Sequence, residues 1–185
     1  MNDALAHIDF NNNKRKSTKN MSAIADFRII ETSKLNELRD NAEVRIEKKL
    51  FSKKTIDNYW TWLDSNSKKL KDFEYSGYIF ADLLIFLVEN KGIDLLKGGY
   101  DDVADSISEK RQNSTIILTY DQRQAYLDRL DDGKFTTDEL IAFNKEFSEN
   151  DDPELAETEL EGIRALRFSL EQLEGDHQVV LLSVG

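Results

Sequence analysis

The segment Asp128-Arg-Leu-Asp-Asp-Gly-Lys-Phe-Thr-Thr-Asp-Glu139 has nearly the spacing of a twelve-residue calcium loop. Asp128 stands at the first ligand position, Asp132 at the fifth, Gly133 at the sharp turn and Glu139 at the bidentate twelfth. Leu130 takes the third position, where a hard cation needs oxygen, and Arg123 and Gln124 stand where such a motif packs apolar residues. A reading without metal uses more of the same letters. Gly133 ends one helix, Thr136 caps the next, Glu139 completes a capping box, and Phe135 with Leu140 forms a hydrophobic staple around the cap. No metal or other cofactor is therefore expected.

A second candidate is the run Ile56-Asp57-Asn-Tyr-Trp60-Thr-Trp-Leu-Asp64. An aromatic ring beside a carboxylate can hold a sugar or a cation, so Asp57, Trp60 and Asp64 are candidate lining for a small-ligand cleft. The plainer alternative buries Trp60 in the core and leaves Asp57 as an early-helix carboxylate near the positive end of the dipole. Gly98-Gly99 lacks the Lys-Ser/Thr pair and the preceding strand of a phosphate loop, and reads as a flexible connection.

Other chemistries lack their residues. His7 and His177 are the two histidines of the chain, which argues against a histidine triad or a histidine-rich metal site. Without cysteine there is no thiolate nucleophile and no disulfide. The 36 Asp and Glu could contain a hydrolytic carboxylate pair, but nothing in the sequence selects one. The chain is expected to act by binding, not by catalysis.

Charge suggests what it binds. Residues 1–71 carry 15 Lys and Arg against 10 Asp and Glu, residues 72–185 carry 10 against 26, and the whole chain has a net charge of −11. Such a surface repels nucleic acid and anionic membranes and steers basic proteins toward itself. Asp151, Asp152, Glu154, Glu157 and Glu161 are the candidate partner-binding carboxylates, with Trp62 and Tyr100 as candidate aromatic anchors. The expected partner is a basic protein, with a toxin domain neutralised by an immunity protein as the sharpest version. A small-ligand or hydrolytic domain with its cleft near Asp57 and Trp60 is the alternative.

The elements that must position these residues follow from periodicity. Ala23–Ile30 reads as a strand. Ser33 caps a helix over 34–48 with Leu35, Leu38, Ala42 and Ile46 inward; a second helix after Thr55 turns Ile56, Tyr59, Trp60 and Leu63 to one face. Ile79, Leu83, Phe86 and Leu87 define a third, stopped at Gly92, and Asp101–Lys110 a fourth with Tyr100, Val103, Ala104 and Ile107 inward. A fifth helix runs from near Asp121 to Gly133, and a sixth turns Leu140, Phe143 and Phe147 inward. Asp152-Pro153 opens a long helix to about Leu173, with Glu154, Glu157 and Glu161 on its outer side. Val179–Val184 has the composition of a strand buried on both faces.

The expected fold is α+β: a mostly helical single domain over 21–185 with a small sheet formed by strands near the N- and C-termini. Residues 1–20 read as a disordered basic tail, which leaves Met1 and Met21 both open as the start. The longest apolar run, Ile79–Val88, is interrupted by Asp82 and falls well short of the roughly 18 residues of a membrane span, so a cytoplasmic location is expected.

Four blocks in this order carry a family resemblance: Met21-Ser-Ala-Ile-Ala-Asp-Phe-Arg-Ile-Ile30, Ile56-Asp-Asn-Tyr-Trp-Thr-Trp-Leu63, Ile117-Leu-Thr119 and Gly175-Asp-His-Gln-Val-Val-Leu-Leu-Ser-Val184. Together they resemble the bacterial YfbM-like domain of unknown function over about residues 21–185. The resemblance implies a compact α+β domain and supplies no catalytic residues. Members commonly carry histidine where this chain has Asp64.

Overall fold

Alternation along two strands decides the architecture. In the computed structural model, which describes residues 23–49, 52–70 and 72–185, the strands are β1 (Ala25–Glu31), β2 (Arg45–Lys49), β3 (Ser52–Ile56), β4 (Ser67–Lys69), β5 (Ser114–Leu118) and β6 (Gln178–Val184). The helices are α1 (Leu35–Asn41), α2 (Tyr59–Asn66), α3 (Ile79–Lys91), α4 (Asp101–Arg111), α5 (Tyr120–Tyr126), α6 (Thr137–Ser148) and α7 (Pro153–Glu171). The expected tail over 1–20 and the choice between Met1 and Met21 lie outside the described residues.

Successive side chains of a strand point to opposite faces. Ala25 and Phe27 of β1, with Val180, Leu182 and Val184 of β6, fall on one face; Ile30, Val179 and Leu181 fall on the other. Each face is covered by helices. Phe80, Leu83 and Leu87 of α3, Leu140 and Phe143 of α6, and Ile163, Leu166 and Leu170 of α7 pack on the first. Leu35 and Leu38 of α1, Tyr59 and Leu63 of α2, and Val103, Ala104 and Ile107 of α4 pack on the second. The α+β class is therefore as expected, and β6 reads as a continuous apolar run because it is covered on both sides.

The main sheet runs β4-β1-β6-β5, antiparallel throughout. The pairing of the first and last strands is as the sequence suggests, in register from Ala25 against Val184 to Glu31 against Gln178. The other two strands flank this pair. No helix among the described residues is long and apolar enough to cross a membrane.

Several elements differ from expectation. The helix predicted over 34–48 stops at Asn41, and the chain enters the hairpin β2–β3, where Ile46 is 61% exposed and Lys48 stands opposite Lys53. Ala42 and Ile46 are four residues apart, a spacing that keeps two side chains on one face in a helix and in a strand alike. Ile56 accordingly closes β3 and has no place in α2. The fifth helix ends at Tyr126; two short 3₁₀ turns follow, Leu127–Leu130 and Asp132–Lys134, with Leu130 fully buried and Gly133 inside the second turn. Phe147 is 46% exposed and stacks on Phe143, outside the core.

Other local signals behave as read. Gly92 ends α3 at φ 61°, where a side chain would be strained. Asp152 accepts a hydrogen bond from the Glu154 N–H at 2.9 Å, with Pro153 in the first turn of α7. Gly162 lets α7 approach α3 closely: a Cβ there would lie 2.6 Å from Ile79 Cδ1 and 2.8 Å from Leu83 Cδ2.

One buried carboxylate on α7 has no counterpart in the expected pattern. Glu159 is 1% exposed, and its Oε2 accepts a hydrogen bond from Asn144 Nδ2 of α6 at 2.7 Å. Burial pushes its carboxyl up to about 7; the Asn144 bond opposes that rise and the Asp82 charge on α3 adds to it.

Candidate functional site

The second face of the sheet is apolar at one end and polar at the other. Going along β1 from Ile30, the residues on this face are Arg28 and Asp26; along β6 from Leu181 the next is Ser183; on β5 beside Ile117 it is Thr115. The register sets Asp26 against Ser183, and Ser183 against Thr115, so a polar row crosses three strands. The start of α2 and the end of α4 stand over this row and leave a cavity of about 410 Å³ lined by Ile24, Asp26, Arg28, Trp60, Arg111 and Ser183, among others. That volume is within the range of small-ligand pockets.

Ion pairs hold the walls. Asp57 accepts from the Tyr59 N–H at 3.1 Å, which fixes the first turn of α2, and takes Arg111 Nη1 and Nη2 at 3.0 and 2.9 Å, which ties that turn to the end of α4. The Arg111 guanidinium, aided by the Tyr59 N–H, holds the Asp57 carboxyl below its ordinary value. The guanidinium also lies 4.7 Å from the centroid of the Tyr59 ring. Arg28 donates from Nε to Asp26 Oδ2 at 2.5 Å, and its Nη1 lies 2.7 Å from Asp64 Oδ1. Lys69 on β4 lies 2.5 Å from Asp72 and 3.9 Å from Asp26 Oδ1.

Three oxygens at this end of the sheet lack a hydrogen-bond partner although buried: Asp26 Oδ1, Tyr59 Oη and Ser183 Oγ. Tyr59 and Ser183 face each other closely enough for the serine hydroxyl to oppose the effect of burial on the phenol, and Asp26 Oδ1 has the Lys69 ammonium 3.9 Å away. Burial pushes the Tyr59 hydroxyl up, so it stays protonated and can donate as well as accept. Buried polar atoms in folded proteins are nearly always satisfied, by protein, water or ligand.

The structure brings Asp57, Trp60 and Asp64 to one place. Trp60 lines the cavity, while Asp57 and Asp64 hold the two arginines that line it. The reading of Trp60 as a core residue is corrected: the residue is 46% exposed, and Tyr59 fills the core position instead. Asp26, Arg28, Arg111 and Ser183 were missed. For Asp26, Arg28 and Ser183 the signal was a polar residue in a strand otherwise apolar, Asp26 and Arg28 between Ala25, Phe27 and Ile29 and Ser183 inside Val179–Val184; Arg111, at the end of α4, had no such signal.

The partner-binding candidates do not converge. Asp151 pairs with Lys145 at 3.2 Å, Asp152 is occupied as the cap of α7, and Glu161 pairs with Arg164 at 2.5 Å. Glu154 and Glu157 are exposed and have no cation within ion-pair distance among the described residues. Trp62 and Tyr100 are half-buried against the second core, across the sheet from α7, and so cannot serve as anchors within the acidic patch.

The calcium-like segment uses its carboxylates elsewhere. Asp132 pairs with Arg164 at 3.0 Å, and Glu139 pairs with Lys91 at 2.9 Å while closing the capping box with Thr136. Asp128 lends its backbone oxygen to Lys134 Nζ at 2.6 Å. Among the described residues no group of three or more His, Asp or Glu is placed to hold a metal ion.

The four blocks that carry the YfbM-like resemblance fall in β1, from the end of β3 into α2, at the Thr119 cap of α5 and in β6. No family model matches the chain, and no curated protein or solved structure matches it.

Proposed function

We propose that this chain is a small-ligand-binding domain whose site is the cavity at the polar end of the second sheet face. The observation that carries the reading is the cavity itself, where three strands and two helices bring the half-exposed Trp60 beside Asp26, Arg28, Arg111 and Ser183.

Binding suits this arrangement better than chemistry. Ser183 has no base hydrogen-bonded to its hydroxyl, which leaves it a poor nucleophile. His177 stands six residues away at the other end of β6, about 20 Å off at strand rise. The test is a screen of small polar compounds by amide and indole NMR of the whole chain. Shifts grouped at Asp26, Trp60 and Ser183 and lost in Trp60→Ala are expected; shifts grouped elsewhere, or none, would remove the reading.

A second reading rests on Glu154 and Glu157, the exposed and unpaired carboxylates of α7. Here a basic protein, such as a toxin domain, docks against the start of α7. Reversing charge at Glu154 and Glu157 is expected to weaken capture of that partner about tenfold and to flatten its salt dependence. Capture that is unchanged and equally salt-sensitive would rule this surface out.

A further inference from the structure

We propose that the β2–β3 hairpin is a self-association arm that docks on the acidic α6–α7 corner of a second copy of this chain. The proposal is independent of the cavity and shares only the start of α7 with the second reading above.

The arm is a separate ribbon. Its register runs from Arg45 against Ile56 to Lys49 against Ser52, five residue pairs that extend roughly 17 Å at strand rise, and neither strand joins the main sheet. Among its described side chains all are exposed except Ile56, which is partly covered. A lone two-stranded ribbon is marginal in water, and packing against a partner is what stabilises one.

Charge sets the ribbon apart from the body. Residues 45–56 hold five Lys and Arg against one Glu, a net +4, while the rest of the chain holds 20 against 35, a net −15. The register places Ile46 with Thr55 and Lys48 with Lys53 on one face, which holds no acid. Two lysines directly opposite repel each other. Among the described residues neither is ion-paired, nor are Arg45 and Lys54.

The corner has the opposite character. Residues 146–161, from the end of α6 into α7, hold eight Asp and Glu and no cation. Glu154 and Glu157 are exposed, unpaired and three residues apart on α7, so they repel each other in turn. The Cβ atoms of such a helical pair are about 5–6 Å apart, and those of a directly opposed ribbon pair about 4.5–5.5 Å. The two pairs match in spacing and oppose in sign, so docking relieves both repulsions. Exposed Ile46 beside the lysines and exposed Phe147 within the acidic stretch add apolar surface to the two sides.

Topology makes the partner another molecule. The ribbon leaves the fold between α1 and α2, which cover the second sheet face, whereas α6 and α7 cover the first, so the sheet stands between the arm and its own corner. Because the two surfaces differ, association is head-to-tail and leaves a free arm at one end and a free corner at the other. Repulsion between the two acidic bodies is screened beyond about 8 Å at physiological salt, which is less than the length of the arm.

The test is sedimentation velocity of the whole chain at rising concentration, at low and at moderate salt. Mass that grows with concentration and falls with salt is expected. Lys48→Glu with Lys53→Glu, and separately Glu154→Lys with Glu157→Lys, should each weaken association about tenfold. Mixing the two variant proteins should restore it, since each then meets a complementary pair on the other, and restoration shows that both are folded. A chain that is monomeric at every concentration at low salt would overturn the proposal and leave the lysines as guards of the ribbon edges against aggregation. The basic-partner reading of α7 survives that result. Association that either variant leaves intact, or that mixing fails to restore, would also overturn the proposal. So would a monomeric chain that binds duplex DNA or phosphatidylserine vesicles through Lys48 and Lys53.

Discussion

Replacing Arg28 by methionine is expected to destabilise the fold by about 3–4 kcal/mol, read as a fall in the urea midpoint without a change in slope. Arg28 is 8% exposed on the second sheet face, and its partner Asp26 has a side chain only 12% exposed. Methionine keeps much of the aliphatic stem but leaves the Asp26 carboxylate buried beside an apolar group. Removing one member of a buried pair costs far more than the pair contributes, because the remaining charge keeps only the more distant Lys69, 3.9 Å away, and reaches little water. The double variant Asp26→Leu with Arg28→Met should therefore recover most of the loss. Additive losses in the two single variants and the double would mean that Lys69 or solvent already compensates Asp26, and the pair would have no special standing.

Glu159 supplies the other large effect, and its sign depends on pH. The folded protein holds the Glu159 proton with a value of about 7 against an ordinary 4.5, so folding binds a proton in that interval. Its contribution to stability is full below about pH 4.5 and is lost as pH rises through about 7. Glutamine imitates the protonated form, accepts from Asn144 Nδ2, and can donate to Asn144 Oδ1, which is buried without a partner. Glu159→Gln should match the parent near pH 4.5 and exceed it by about 2 kcal/mol near pH 8, by urea unfolding at both values. Equal stability of the two proteins at the higher pH would show that the carboxylate is adequately solvated or paired when charged.

What the sequence made legible depended on whether a signal was local. Asp152-Pro153, the Thr136–Glu139 capping box and Gly92 act within one turn of backbone, and all three do what their neighbours suggest. The apolar runs of β1 and β6 were equally clear. The hairpin β2–β3 was hidden because Ala42 and Ile46 satisfy a helical spacing by coincidence. β4 was hidden because Ser67-Lys68-Lys69 has no apolar pattern at all, and is a strand through its backbone bonds to β1.

The site was half legible for a related reason. Asp57, Trp60 and Asp64 lie within eight residues of one another, on α2 and the turn that leads into it. Asp26 and Ser183 are neighbours only after the first and last strands pair, and Arg111 comes from a third region. Acidic residues misled in the opposite direction: Asp151, Asp152 and Glu161 look alike in sequence, yet each has a task within the fold, and Trp62 and Tyr100 face the far side of the sheet.

The position of β6 sets a timetable for synthesis. It joins β1 on one side to β5 on the other, and those two strands do not touch each other. A ribosome releases β1, β4 and β5 long before residues 178–184 leave its exit tunnel; β1 and β4 can pair with each other, but β5 has no strand to join until β6 appears. The helices over both faces can form early, but their apolar sides must wait for the surface they cover. Completion of the sheet thus waits for residues 178–184, and in that interval Phe27, Ile30 and Ile117 are exposed to whatever binds nascent apolar segments.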